Sequence, residues 1–280
     1  MEKNEQKPIT TTITFLNGER ARRYATHLKE QQERLSRCND ILLHIPHSST
    51  RFPEHSNHNF EELNEEEREL IDYYIDELFQ PSTPMWNIHS IIYPYCRLYC
   101  DVERLLDDPL EKYGLGFHYE YDVKDEFLPL IGEKFCSRED SFKEYVRHHS
   151  EATLKICELS KHRLLMIDCH SFSSRPTILN ETPSDVDICI GFNDDRTKPY
   201  KGMLDRIIRF FEEHGYKVSV NSPFSNSKTF PVSKFFHYSS VMIEVNKRLY
   251  MNEDTLEKTE GFLKLRQNIQ SLYSILLRQM

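Results

Sequence analysis

The sequence predicts an α/β fold, with a mostly parallel or mixed central sheet and helices on both faces. Three observations carry that prediction. Residues 41–45 and 164–167 are nearly continuous apolar runs, as strands buried on both faces require, and each is soon followed by small polar residues. Residues 241–245 form a third apolar run, interrupted only by Glu244. The stretches between these runs are charged and helix-prone.

In chain order, residues 1–37 read as an N-terminal extension, with a short β-branched strand at 9–15 and a charged surface helix at 20–37. Residues 38–280 read as one domain. Its first strand, at 41–46, leads into an acidic helix over 61–79, whose stripe is Leu70, Tyr73, Tyr74 and Leu78. A second extended segment is expected at 88–102. Residues 107–138 lack a clean period and are expected to form a lid or active-site loop. A helix at 139–160 precedes the second central strand at 164–170. A strand at 186–192, a helix at 200–214, and strands at 217–221 and 240–245 follow. Gly215 suits the left-handed residue that closes the helix before it. A final helix is expected at 253–278.

The formal net charge is −9, with no basic stripe, which argues against a general nucleic-acid binder. No apolar run approaches the about 20 residues that a membrane helix needs. The seven cysteines are odd in number and scattered, and the start of the chain has no apolar signal core. Free thiols in a reducing cytoplasm are the expectation.

In open α/β sheets, sites form beyond the carboxyl ends of strands. Three expected strand ends carry His47, His170 and Glu244. Strand alternation puts His44 opposite His47, so His44 reads as a packed or hydrogen-bonded core histidine and His47 as the better ligand. Asp168 shares a face with His170, where a carboxylate can orient an imidazole. Glu244 sits in an apolar strand, where an unpaired carboxylate is costly. A general base beside an activated water would meet that need, and so would a buried ion pair. A catalytic zinc site takes about three protein ligands. The carboxylate among them is left open between Asp72, Asp76 and Asp168, with Asp72 and Asp76 on one helical face. Arg97, Tyr99 and Asp101 share a face if 95–101 is extended. Arg97 or Arg104 can then grip a substrate carboxylate, with Asp101 holding an arginine in place.

These pieces resemble the N-formylglutamate amidohydrolases. His44-Ile45-Pro46-His47-Ser48-Ser49 is similar to that family's PHSG-type motif. Ile71-Asp72-Tyr73-Tyr74-Ile75-Asp76-Glu77-Leu78 resembles its following TD-x-x-V-D-x-L helix. Residues 96–104, from Cys96-Arg97 to Asp101-Val102-Glu103-Arg104, resemble its SR-x-x-x-D-x-NR segment. Asp168-Cys169-His170-Ser171 resembles its DGHS motif, and residues 243–251 its IE-x-x-x-x-LYM ending. Asn221-Ser222-Pro223 fits its N-x-P loop. These matches run in order along most of the chain.

The resemblance implies a zinc-exopeptidase-like α/β fold and hydrolysis of N-formyl-L-glutamate to formate and L-glutamate, in histidine degradation. It implies one zinc per chain on His47, Asp72 and His170, with Glu244 as general base. Arg97, Arg104 and Asn221 would bind substrate, and Asp101 and Asp168 would support the ligands. The sequence departs from the family pattern at Cys169 and Ser49, which replace glycines, and at Glu103, which replaces asparagine. Ser225-Asn226-Ser227 stands where the family has a Gly-Gly pair. These departures bear on the substrate more than on the metal or the fold.

Two other readings compete. One is a related zinc amidohydrolase or carboxypeptidase with another acidic substrate. The other is a non-catalytic protein that holds an acidic ligand. A cysteine hydrolase built on Cys169 and His170 is disfavoured, because adjacent strand residues face opposite ways.

Overall fold

The computed structural model describes residues 37–56, 58–113, 115–119, 135–177 and 184–277, and the helical positions 23, 26, 27, 29, 30 and 33. The strand expected at 9–15 lies outside these residues, as does much of the loop expected at 107–138.

Six strands make one mixed sheet: β1 (Asp40–Ile45), β2 (Ile88–Ile92), β3 (Leu164–Phe172), β4 (Ile188–Gly191), β5 (Val218–Val220) and β6 (Ser239–Asn246). Their order across the sheet is β2-β1-β3-β6-β4-β5. All neighbours are parallel except β4 and β6, which are antiparallel. The helices are α1 (Glu65–Glu69), α2 (Ile75–Phe79), α3 (Arg138–Leu159), α4 (Lys201–Glu213) and α5 (Gly261–Leu276).

The two faces of the sheet differ. On one, Ile41, Leu43 and Ile45 of β1, Leu165, Ile167 and Cys169 of β3, and Val241, Ile243 and Val245 of β6 join a single apolar core. Helices α2, α4 and α5 close it through residues such as Leu78, Ile207, Phe211, Leu272 and Tyr273. On the other face, the first rungs of β1 and β3 are apolar. There Leu42 and Met166 pack on Ala152, Ile156 and Leu159 of α3. Beyond them the same face, by alternation, carries His44, Asp168, His170 and Glu244. The sheet is therefore apolar throughout on one side and polar toward its carboxyl ends on the other.

The helix expected over 61–79 is broken. Helix α1 starts at an Asn64–Glu67 capping box, and α2 follows Tyr74, whose φ of 63° is left-handed. Asp72 lies in the gap, where its backbone N–H donates to the His47 carbonyl at 3.0 Å instead of extending a helix. Asp72 and Asp76 thus do not share a helical face. Strand β2 stops at Ile92, so Arg97, Tyr99 and Asp101 lie on turns rather than on a strand face. The last helix begins at Gly261 rather than 253, because residues 251–258 close a turn with a Met251–Lys258 bridge. Gly215 is left-handed at φ 85°, as expected.

Candidate active site

The register of the sheet builds the site. His44 of β1 pairs with Asp168 of β3, and His170 of β3 pairs with Glu244 of β6. Strand β1 ends at Ile45, so alternation no longer governs His47, and the turn brings its ring to 5.1 Å from that of His170. The hydrogen bond between Asp72 and the His47 carbonyl brings a carboxylate to the same place.

His47, Asp72 and His170 each present a ligand atom within 4.8 Å of the others, and all three are buried. His170 Nδ1 lies 3.1 Å from Asp72 Oδ2, and Ser171 Oγ donates to Asp72 Oδ1 at 3.3 Å. His47 Nδ1 faces Asp72 Oδ2 at 3.7 Å and has no hydrogen-bond partner. Behind each ring stands another carboxylate. His47 Nε2 meets Asp101 Oδ1 at 2.8 Å, and His170 Nε2 meets Asp168 Oδ1 at 3.2 Å. A carboxylate on the far nitrogen is the arrangement that fixes the tautomer of a metal-binding histidine. The residues present therefore fit a metal ion: two imidazole Nδ1 atoms and one carboxylate converge, and one of those nitrogens is buried and unsatisfied.

The electrostatics follow from this packing. Burial alone would raise the Asp72 and Asp168 carboxyls, but His170 with His47, and His170 with His44, hold them below the usual carboxylate range. Burial likewise opposes the charged form of His170, yet Asp168 and Asp72 on either side raise it well above an ordinary histidine. Without a metal, His170 thus keeps a proton between two aspartates. A metal at Nδ1 must displace that proton. Burial pushes Glu244 up to about 8, and its Oε2 is buried without a partner. Its place beside His170 suits a group that trades a proton at neutral pH.

A cavity of about 360 Å³ opens over this centre, lined by His47, Asp72, His170, Glu244, Glu103 and Arg104 among others. Arg97 also borders it but is buried and engaged. Its Nη2 donates to Asp101 Oδ2 at 2.7 Å and its Nη1 to the Leu70 carbonyl at 3.0 Å. Tyr119 donates to that same Asp101 oxygen at 3.0 Å. Arg104 approaches Asp101 only at 3.7 Å, and its Nε is buried without a hydrogen bond. Asn221 is not among the lining residues. Its φ is 51°, and its side-chain carbonyl accepts from the Phe192 and Asn226 backbone, so it shapes the loop whose Pro223, Phe224 and Ser225 reach the cavity. Asp76 lines a different cavity, with Tyr73 and Tyr93.

Sequence reasoning set His44 aside as a core histidine and named Glu103 only as a departure from the family pattern, and it did not single out His148 or Lys228. His44 Nδ1 is 2.8 Å from Asp168 Oδ1, and His44 Nε2 is 3.0 Å from His148 Nε2 of α3. Glu103 Oε2 lies 3.5 Å from His44 Nδ1. Burial and the nearby charge of Asp168 raise Glu103 to about 8. Lys228 donates its backbone N–H to Asp168 Oδ2 at 2.7 Å, and its ammonium caps the Val102 and Glu103 carbonyls. The signal for His44 was present in its facing position to Asp168, but that requires knowing which strands are neighbours.

A buried histidine–carboxylate centre at the carboxyl ends of parallel strands, under an open cavity, defines a class: an α/β protein whose candidate active site could hold a metal ion. The particular family follows from comparison. The chain belongs to the N-formylglutamate amidohydrolase family, whose model matches residues 39–251, most of its length. It is therefore an amidohydrolase. The fold is similar to that of an N-formylglutamate amidohydrolase from Ralstonia eutropha JMP134, at 21 % identity and a TM-score of 0.66, with 85 % of this chain and 92 % of that one covered. It is also similar to gene product Atu2144 from Agrobacterium tumefaciens, at 17 % identity and a TM-score of 0.54, with 84 % and 91 % covered. At these identities the structures speak for the fold alone. No curated protein matches the sequence.

Proposed function

We propose that the protein is a zinc-dependent amidohydrolase that cleaves a small N-acyl amino acid, N-formyl-L-glutamate, to formate and L-glutamate. The observation that carries this reading is the buried, unpartnered Nδ1 of His47, which faces Asp72 Oδ2 at 3.7 Å beside His170. His47, Asp72 and His170 would hold the zinc. Bound there, zinc supplies the Lewis acidity that activates water and polarises the amide carbonyl.

The chain's own residues do the rest. Glu244 takes the proton of the attacking water and gives it to the leaving amine. Asp101 and Asp168 hold the two imidazoles in the tautomer that leaves each Nδ1 free to bind. Arg104 lines the cavity with an unsatisfied Nε and receives the substrate carboxylate. Arg97, already held by Asp101, lends positive charge to the developing oxyanion. Among the described residues no helix is long and apolar enough to cross a membrane, and we assign the enzyme to the cytoplasm.

Elemental analysis of the purified protein, together with N-formylglutamate hydrolysis before and after chelation, tests this. About one zinc in this centre, the complement of a mononuclear catalytic site, with activity lost to chelator and restored by zinc is the expected result. Zinc without that activity would overturn the substrate and leave another acidic N-acyl amino acid to be found. Full activity after complete zinc removal would overturn the metal role.

A further inference from the structure

Two residues beside the centre, Glu103 and His44, meet in space. Glu103 stands where the family resemblance leads one to expect asparagine, and His44 lies three residues before the ligand His47. Both converge on Asp168. His44 Nδ1 is 2.8 Å from Asp168 Oδ1 and 3.5 Å from Glu103 Oε2. His44, Glu103 and Asp168 each present a ligand atom within 4.8 Å of the others.

We propose that His44, Glu103 and Asp168 form a second site for a divalent metal ion, zinc in the first instance, adjacent to the His47–Asp72–His170 site. One imidazole and two carboxylates are a suitable donor set for zinc. Glu103 Oε2 is buried and makes no hydrogen bond, so it is available as a ligand. His44 already has the outer partner that a ligating histidine needs. With Nδ1 on a metal, its Nε2–H donates to His148 Nε2, 3.0 Å away. Without a metal the same pair is satisfied with the opposite donor, so at the His44–His148 contact the change is a tautomer exchange. His148 is buried in α3, which fixes that partner on a long helix rather than on a loop.

Support from Lys228 agrees with this reading. Lys228 binds Asp168 Oδ2 through its backbone N–H and so leaves Oδ1 facing His44. Its ammonium rests on the Val102 and Glu103 carbonyls, which fixes the backbone that carries the Glu103 side chain. Glu103 also lines the catalytic cavity, so the ion has an entry path through solvent. Asp168 joins the two sites, because the oxygen that faces His44 also lies 3.2 Å from His170 Nε2. The second ion would thus sit behind the first and act on it through His170.

The test counts zinc. Full-length protein is stripped with chelator, reloaded with excess zinc sulfate, passed through a desalting column and analysed for zinc per chain. The wild type should carry two equivalents. Glu103→Gln, at a partly exposed position, should carry one, and so should His44→Asn. Circular dichroism should show both variants folded, and Glu103→Gln keeps the test open if the buried His44 variant does not fold. Asp72→Asn should also fall to one equivalent, through loss of the other site. A wild type that holds a single zinc lost in Asp72→Asn would sink the second site and leave the proposed mononuclear enzyme standing. A Glu103→Gln protein that keeps two would equally overturn it. A wild type that retains no zinc would overturn both sites.

Discussion

His170 and Glu244 occupy facing positions on the neighbouring parallel strands β3 and β6, so the imidazole proposed to bind metal and the carboxylate proposed to accept the proton are held on one ladder. Their separation is set by strand spacing rather than by any loop. Glu244→Gln keeps the shape and removes the proton acceptor. Turnover should fall by roughly 10²-fold or more, the usual scale for a lost general base. Zinc content should be unchanged. A variant with wild-type kcat would remove Glu244 from the mechanism.

Asp101 binds His47, Arg97 and Tyr119 at once. Arg97 keeps its charge whatever happens to Asp101, and it is buried. Asp101→Asn should therefore cost about 3–5 kcal/mol of stability, the scale of a broken buried ion pair. It should also weaken zinc binding about 10–100-fold, because the amide no longer orients His47 as a carboxylate does. Chemical denaturation and a zinc titration against a competing chelator measure the two effects separately.

Arg104→Ala addresses substrate rather than metal. The Arg104 side chain borders the cavity and reaches Asp101 only at 3.7 Å, so its loss leaves the folded centre largely intact. The expected result is a KM for N-formylglutamate raised about tenfold or more, as for a lost charge-assisted hydrogen bond, with zinc content at the wild-type value. An unaltered KM would show that another group receives the carboxylate.

The metal-free protein should lose stability as pH rises from about 6.5 to 8. Glu103 and Glu244 are both raised to about 8 when folded, so the folded state holds protons there that the unfolded chain has already released. His170, also raised, acts in the same direction. His44, His148 and His149 are lowered, chiefly by burial, and oppose this trend only below about 6.5. Thermal melts in chelator at several pH values should show the decline, and Glu244→Gln should flatten it. A melting temperature that climbs from pH 6.5 to 8 would contradict the assignment.

Much of the fold was legible because the central strands are buried on both faces and read as apolar runs. Strands β1, β3 and β6, the helices α3 and α4, and Gly215 fell close to where periodicity put them. His47, His170 and Glu244 were legible as polar residues at strand ends, and Asp72 through the family's motif. The failures share a physical origin. The gap between α1 and α2 depends on a hydrogen bond from Asp72 to a residue 25 positions earlier, His47, and on a left-handed Tyr74. Helical periodicity carries neither. His44 is the buried, hydrogen-bonded histidine that the sequence suggested, but its placement opposite His47 failed because alternation was counted past Ile45, where the strand ends. Glu103, His148 and Lys228 come together only through the order of strands and the docking of α3, which no local pattern encodes.

The two-sided character of the sheet has a consequence for how such a protein can change. The side packed by α2, α4 and α5 supplies an uninterrupted apolar layer, while the chemistry lies across the backbone from it. Substitutions at Glu103 or Met242, which line the cavity and lie outside that layer, change its wall without entering the layer. Selection can therefore explore new substrates on one side of the sheet while the other keeps the chain above its threshold for folding.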